Sequence, residues 1–463
     1  MGKKTETLVI GSGPGGYVAA IRAAQLGQQV TIVEGKHIGG VCLNVGCIPS
    51  KALIHAGHIY QESLHATYLG IKNSQTELDF ATTQKWKDEK VVRVLTSGIR
   101  MLLQKNNVKI VEGMAKFISS KQVSVSTNEQ EEVIDFQQAI IATGSQPIEI
   151  PGFSFGGRII DSTGGLSLKE LPKKLVIIGG GVIGSELGGA YANLGVDVTI
   201  LEGSSQLLPT YEKDLIQVVE TSFKKKGIKV VTNAIAQSAV DDGSQVNVHY
   251  TVNNQKNHVS ADYVMVTVGR RANTANLELD KAGLAVNDIG LIPVNNQYQT
   301  KQSHIYAIGD VIEGPALAHK ASYEAKVAAE VICGKNVAKD YRVIPAICFT
   351  DPEVASVGWT LAEAKAAGKQ VSRAVFPMKA NGRALSLNAT EGFVRLIFEK
   401  ETELVMGGQI VGVGASDLIA ELTLAIESCL TLEDIALTIH GHPTLSETIM
   451  DVSEIGLGLP IHM

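Results

Sequence analysis

The chain has 463 residues, 44% of them hydrophobic and 19% charged, with a formal net charge of −6. That length suits roughly three domains of about 150 residues, and the composition is that of an ordinary globular protein. The charge leaves no basic surface for nucleic acid. No apolar run approaches the ~20 residues of a membrane-spanning helix, so neither partner is expected.

At the N-terminus, "MGKKTETLVIGSG" passes from a short charged lead into a strand and a glycine loop. Its apolar part is too short for a signal peptide. A cytoplasmic location is therefore expected, where lasting structural disulfides are rare. The segment "LVIGSGPGGYVAAIRAAQLGQQVTIVE", ending at Glu34, reads as strand, G-x-G-x-x-G turn, helix, Leu-Gly stop and second strand. Gly11 makes the turn, Gly13 lets a pyrophosphate approach the backbone, and Gly16 lets helix and strand pack closely. The helix start offers unpaired N–H groups and a positive dipole end to phosphates. Glu34 can accept hydrogen bonds from ribose hydroxyls.

Residues 39–51, "GGVCLNVGCIPSK", hold two of the five cysteines, Cys42 and Cys47. Structural zinc needs about four ligands, usually in two paired halves. The other three, Cys333, Cys348 and Cys429, are scattered singly in apolar contexts and read as core thiols, so no metal site is expected. Two unrelated core thiols would be out of place in a glycine-rich loop beside a nucleotide turn. A redox couple fits best. Gly39, Gly40 and Gly46 permit non-helical geometry in which the sulfurs can meet at a helix start, where thiolate is favoured over thiol. Such a pair passes electrons by thiol exchange. Lys51 follows Cys47 by one helical turn and should point toward the same place.

Residues 50–67 and 84–106 read as helices, and 108–145 as short strands. "AIIATGSQP" (139–147) ends an apolar strand at a glycine. "LVIIGGGVIGSELGGAYANLGVDVTILE" then repeats the first unit at one offset (179 − 11 = 168). Gly179, Gly181, Gly184, Gly195 and Glu202 stand for Gly11, Gly13, Gly16, Gly27 and Glu34. One redox enzyme seldom needs two identical ligands, so the copies should bind different dinucleotides. Glu202 suits a free 2′-hydroxyl, and residues 201–209 offer no arginine for a 2′-phosphate, so NAD is expected over NADP. "HIYAIGDV" (304–311) is a further glycine-ended strand, whose Asp310 can bond a polyol or cap the helix that follows. The last region, 344–463, alternates strands with the helix "DLIAELTLAIESCL" and carries no nucleotide fingerprint. In its "HGHPTLSE", His442 has a pKa suited to taking a thiol proton, Glu447 can fix its tautomer, and His440 reads as supporting.

Both fingerprints, the cysteine stretch, "ATGSQP", "IGDV", "ALAHKASYEA", "FTDPEVASVG" and "HGHPTLSE" together resemble the flavoprotein disulfide reductases with two dinucleotide folds. The resemblance covers essentially the whole chain. It implies an α/β fold with two Rossmann-like dinucleotide-binding domains and a C-terminal α+β dimerisation domain. Residues 1–146 would begin the FAD-binding domain, 147–270 bind NAD, 271–343 complete the FAD site, and 344–463 form the dimer. One tightly bound FAD per subunit is implied, held by Gly11, Gly13, Gly16, Glu34, Lys51, Thr143, Gly144, Gly309, Asp310, Ala318 and His319. NAD falls to Gly179, Gly181, Gly184, Glu186, Glu202 and Gly269, with Glu186 also the family partner of Lys51. The same resemblance makes Cys47 the flavin-facing sulfur and Cys42 the interchange sulfur. It also brings His442 and Glu447 to the partner subunit's Cys42 across a homodimer. Position 41 departs from the pattern: threonine is expected, and Val41 cannot donate a hydrogen bond.

Relatives within that group differ in substrate. A glutathione-type reductase would use NADPH, against Glu202. A mercuric reductase would end in an adjacent cysteine pair, whereas this chain ends "LGLPIHM". An NADH oxidase or coenzyme A disulfide reductase would keep one active-site cysteine. Oxidation of protein-bound dihydrolipoamide by NAD remains, with a lipoylated acyltransferase or lipoyl carrier protein of a 2-oxo acid dehydrogenase or glycine cleavage complex as partner. An NADH-dependent reductase of another low-molecular-weight disulfide is the runner-up. From a different class, a non-catalytic flavin-binding subunit is opposed by the retention of both cysteines, His442 and Glu447.

Overall fold

The computed structural model describes residues 3–73, 75–127 and 130–463. Residues 1, 2 and 74 of the expected FAD-binding segment lie outside the described residues, as do 128 and 129 of the 108–145 strand region.

The first sheet grows from the apolar runs of the N-terminal unit. Lys3–Ile10 pairs in parallel with Val30–Glu34 on one side and Glu131–Ile141 on the other. Lys109–Glu112 extends one edge in parallel, while Gln122–Ser126 and Met114–Ser119 fold back antiparallel at the other. Parallel strands covered on both faces are apolar throughout rather than alternating, and Leu8, Val9, Ile32, Ile140 and Ile141 are buried accordingly. From far along the chain, Ile305–Ala307 joins the same sheet beside Ala139–Ile141. The helix Ala318–Ile332 then packs on the first fingerprint helix, Pro14–Gln25. Small buried residues (Ala19, Ala20 and Ala23 against Ala325, Ala328 and Ala329) let these two helices approach, and all belong to one hydrophobic core.

The second unit is a parallel sheet in the order Lys229–Val231, Asp197–Leu201, Lys174–Ile178, Tyr263–Val266, Ile159–Ile160. Its two faces have different covers. Val176, Ile178, Val264 and Val266 pack against the antiparallel strands Ala234–Asp241, Val246–Val252 and Gln255–Ala261. Leu175, Ile177 and Met265 share a core with the second fingerprint helix, Val182–Asn193. The C-terminal unit is a five-stranded antiparallel sheet carrying the helices Ala415–Glu427 and Glu447–Gly456. Buried Arg395 of that sheet reaches Glu212 and Asp214, each at 2.5 Å, and so ties it to the second unit.

The helix that Cys47 opens, Cys47–His65, lies on Val182–Asn193. Leu53 and Ile54 share a core there with Leu187 and Tyr191, and with Cys348 and Val411 of the C-terminal sheet. All three units thus meet behind the cysteine stretch. The 84–106 helix begins earlier than its sequence suggests. Asp79 caps it, accepting from Thr82 N, and Phe80–Trp86 leads through a wider π turn (Lys87–Val92) into Arg93–Lys105. Buried Lys87 sits at that turn and donates to Leu166 O at 3.0 Å. Among the described residues no helix is long and apolar enough to cross a membrane.

Candidate active site

The two fingerprints fold alike. Gly11 and Gly179 both adopt φ +97, in the left-handed region glycine tolerates. A Cβ on Gly16 would lie 1.9 Å from Gly11 O, and one on Gly184 2.0 Å from Gly179 O. The chain's own packing therefore forces the first and third glycines. Gly13 and Gly181 differ, since a Cβ there would meet nothing within 4 Å. Each unit so keeps open space above a helix N-terminus, which fits a pyrophosphate.

The acidic residues do more than face a ribose. Glu34 accepts from Ser12 N at 2.8 Å, Ser12 Oγ at 2.7 Å and Lys36 N at 2.8 Å. Glu202 accepts from Gly180 N and Ser204 N, both at 2.6 Å. Each carboxylate braces its own glycine turn. With about four lone-pair directions per carboxylate, Glu202 keeps capacity for a ribose hydroxyl, whereas Glu34, which also accepts from His37 N at 3.3 Å, has all four engaged within the chain.

The cysteine stretch is seated directly on the first turn. Gly39 N donates to Ser12 O at 3.1 Å, and a Cβ on Gly40 (φ +62) would come within 2.6 Å of Gly13 Cα. The short helix Gly40–Val45 breaks at Gly46, and Cys47–His65 begins immediately after. This break lets the Cys42 and Cys47 thiols hydrogen-bond. Both cysteines are free thiols here. Receiving the Cys42 hydrogen bond, and with Lys51 nearby, Cys47 is lowered to about 7 although burial opposes the shift. Cys42 moves the other way, pushed up by giving that bond and by burial. Cys47 keeps part of its surface open, yet its sulfur is enclosed enough for desolvation to count. Val41 is exposed.

Lys51 Nζ lies 2.7 Å from Glu186 Oε2 and 4.5 Å above the Phe349 ring centroid. Phe349 N donates to Glu186 Oε1 at 2.9 Å. Of the two roles the sequence allowed Glu186, the contact made within the chain is to Lys51. Thr143 Oγ1 donates to Asn273 O at 2.8 Å, and Asn273 N to Gly144 O at 2.8 Å. Gly269 precedes Arg270 with φ +142. His319 Nε2 sits 2.9 Å from Pro345 O, at the first turn of the helix that Ala318 opens.

Asp310 corrects one expectation. Gly309–Val311 is a single 3-10 turn, and the next helix starts at Ala318 behind Leu317, so Asp310 caps no long helix. Instead its Oδ2 accepts from Ser145 Oγ at 2.6 Å, and Ser145 Oγ accepts from Arg270 Nε at 2.8 Å. Sequence reasoning missed Ser145 and Arg270. Ser145 directly follows Thr143 and Gly144, and Arg270 follows Gly269, residues the resemblance singled out, yet neither drew notice itself. Cys429 is a second correction. It is exposed, at φ +56 just past a helix end, and is no core thiol. Cys333 is half-buried, while Cys348 is fully buried and its thiol pushed up by burial.

At the other end of the chain, His442 Nδ1 lies 2.8 Å from Glu447 Oε1, and Thr444 N donates to Glu447 Oε2 at 2.8 Å. Burial pushes Glu447 up, but those two bonds outweigh it and hold the carboxyl below its usual range. With Nδ1 engaged, Nε2 is left for chemistry, on a side chain that is 81% exposed. His440 is committed elsewhere, to Glu421 at 2.7 Å and Thr438 O at 2.8 Å. Within the chain the two halves are not brought together. The cysteine helices pack mainly on each other, on Val182–Asn193 and on Arg93–Lys105, whereas Glu447–Gly456 packs on Leu432–Ala436 and the C-terminal sheet.

Residues 5–325 match the family model described as pyridine nucleotide-disulphide oxidoreductase, and 344–453 match its dimerisation domain. The chain belongs to this family, and is accordingly an oxidoreductase working with FAD and NAD as a homodimer. Its relatives include the dihydrolipoyl dehydrogenases of Geobacillus stearothermophilus, 55% identical over 99% of this chain and 98% of that one, and of Bacillus subtilis (strain 168), 53% identical over the same shares. Among solved structures, LpdA from Mycobacterium tuberculosis superposes with a TM-score of 0.91 at 27% identity, covering 97% of this chain and 99% of that one. The HOCl-induced flavoprotein disulfide reductase RclA from Escherichia coli gives a TM-score of 0.87 at 27% identity over the same shares.

Proposed function

We propose that this chain oxidises protein-bound dihydrolipoamide with NAD, moving two electrons through Cys42 and Cys47 to FAD. The observation that carries the reading is the hydrogen-bonded cysteine pair, with one sulfur poised as thiolate, beside the Lys51–Glu186 ion pair. Relatives at 53–55% identity that bear the name dihydrolipoyl dehydrogenase favour this substrate over another small disulfide.

The cycle starts from the Cys42–Cys47 disulfide. One lipoyl thiol gives its proton to Nε2 of the partner's His442, and its sulfur attacks Cys42 Sγ. The bond between the cysteines breaks and Cys47 leaves as thiolate. The second lipoyl sulfur, losing its proton, then attacks the sulfur joined to Cys42. This closes the lipoyl disulfide and releases Cys42, which takes up a proton. The substrate has lost two electrons and two protons. The cysteine pair holds the electrons, as a Cys42 thiol bonded to a Cys47 thiolate. Glu447 keeps Nε2 of its own histidine free and supports the cation. Lys51, anchored by Glu186, holds a positive charge beside Cys47. Bound in the first unit, FAD would supply the two-electron acceptor through which the disulfide is restored, and NAD would supply the final hydride acceptor.

A lipoylated acyltransferase or lipoyl carrier protein in the cytoplasm is the partner this chemistry requires. Anaerobic titration of the purified protein with dihydrolipoamide, NADH and NADPH tests the reading. Stoichiometric reduction by dihydrolipoamide and by NADH, with NADPH far slower, is expected. Glu202→Arg should move the preference toward NADPH by about ten-fold or more, on the scale of one charge-assisted contact. No reduction by dihydrolipoamide would overturn the proposal, and equal rates with both nucleotides would remove the argument from Glu202.

A further inference from the structure

The helix Ala318–Ile332 holds an ion pair that the chemistry above does not use. Lys320 Nζ lies 2.7 Å from Glu324 Oε1, four residues on, and the two side chains are only 2% and 1% exposed. Both are spent on one glycine. Glu324 Oε2 accepts from Gly309 N at 2.7 Å, and Lys320 Nζ donates to Gly309 O at 3.4 Å, an oxygen that also receives Ile312 N at 3.2 Å. Gly309 stands at φ +76, and directly after it comes Asp310, bonded to Ser145.

From these contacts we infer that Lys320 and Glu324 are positioning residues for FAD, which fix the turn that aims Asp310. Glycine is the residue with most backbone freedom to lose. Without the pair, the Ile308–Gly309 plane would lose its N–H acceptor and the Gly309–Asp310 plane would keep only the bond from Ile312 N, leaving Asp310 freer to turn. The pair grips one plane by its N–H and the other by its C=O. The clamp is also tied to the first fingerprint. Its helix packs on Pro14–Gln25, where a Cβ on Gly15 would come within 3.2 Å of Ile308 Cδ1 and 3.4 Å of Ala321 Cβ. Asp310 and the Gly13 turn are thereby held in one frame. Stability alone does not call for such a pair, because apolar residues of similar volume are often as stable as a buried ion pair.

The inference rests on the first unit binding FAD, and the test separates the two. Purified holoprotein is assayed for FAD release into ultrafiltrate and, with saturating FAD, for thermal midpoint. Lys320→Met with Glu324→Leu keeps the site filled but leaves Gly309 N without a partner. It should melt at or near the wild-type temperature yet release FAD about ten-fold faster, as for one lost hydrogen bond. Lys320→Met with Glu324→Gln restores an oxygen for Gly309 N and should return release to near the wild-type rate. In an Asp310→Asn background the Met–Leu change should add little, because it acts through Asp310. Release within two-fold of wild type in the folded Met–Leu protein, full additivity with Asp310→Asn, or no rescue by glutamine would each overturn the clamp. Wild-type protein that purifies without FAD would instead remove the reading beneath it. If the Met–Leu protein does not fold, Lys320→Gln with Glu324→Met takes its place, since it again leaves Gly309 N without a partner: faster release is expected, and release within two-fold of wild type or full additivity with Asp310→Asn overturns the clamp.

Discussion

Around Cys42 and Cys47 the neighbouring charges find their partners within the chain: Lys51 rests on Glu186, Glu186 also takes Phe349 N, and Arg270 is tied through Ser145 to Asp310. His442 has its carboxylate behind it and little in front, with 81% of its side chain exposed. The first arrangement is a finished environment, closed enough to move two thiols in opposite directions. The second is a finished tool, with its tautomer set and nothing in its own chain to work on. Splitting two thiols takes a hydrogen bond and a cation held close to them, whereas a base that serves another subunit must project from the surface. On the proposed reading, a two-fold axis through the dimerisation domain would join the two kinds of half-site.

The largest effect should come from His442. Its replacement by alanine should lower dihydrolipoamide oxidation by about 10²- to 10⁴-fold, the usual span for a lost acid–base group. Pairing that chain with a Cys42→Ser, Cys47→Ser chain tests where the base acts. One intact site is rebuilt if the halves meet across the interface, and about half of wild-type activity should return on the two-site symmetry argument. A folded, FAD-containing heterodimer that stays inactive would show that both halves serve one chain, and the contrast between them would lose its meaning.

A smaller effect should follow from opening the closed half. Lys51→Met leaves Glu186, only 5% exposed, with its backbone bond from Phe349 but no cation. Breaking a fully buried pair costs about 3–5 kcal/mol. Because Lys51 is itself about a third exposed, roughly 2 kcal/mol is expected here on the same scale. Denaturant unfolding would measure it, and adding Glu186→Gln should return most of the loss. Were Lys51→Met no less stable than wild type, the cysteine half would be wetter than its contacts imply.

The sequence made the repeated parts legible because they are local. A constant offset of 168 relates the glycines, and the structure repeats bonds at that same offset: Glu34 to Ser12 and Lys36, Glu202 to Gly180 and Ser204. The bonds to Asp310 and Gly309 were not legible in this way. Ser145 meets Asp310 across 165 positions, and Arg270 meets Ser145 across 125, so the tertiary fold alone brings them together. Lys320 and Glu324 were in plain view at helical spacing, but nothing local distinguishes a buried pair from an exposed one. Of the two roles open to Asp310, the helix cap is not made, because Gly314 and Pro315 interrupt the chain before Ala318. Cys429 was misjudged because its apolar neighbours face the core, while the residue itself turns out at a helix end.

The mildest test concerns the proton on Cys47. Its pKa is lowered from the ordinary thiol value to about 7, first by the hydrogen bond from Cys42 and also by Lys51, against burial. A depressed thiol pKa means that the thiolate is present above pH 7 and is lost as the pH falls through it. Between pH 7 and pH 6 the thiolate fraction should drop about five-fold, by simple titration about that value. Ultraviolet thiolate absorbance of the reduced protein, minus that of Cys47→Ser, follows this directly. Substitutions at Cys42 separate the causes. In Cys42→Ser the hydroxyl is still a donor, so the midpoint should stay near the wild-type value. Cys42→Ala removes the donor and should raise it part of the way toward the ordinary value, and Lys51→Met combined with Cys42→Ala should raise it further, because two independent supports of the anion are then gone. A wild-type midpoint near the ordinary thiol value would mean that the Cys42 bond and Lys51 do not outweigh burial at Cys47, and the cysteine half would be no more prepared than the histidine half.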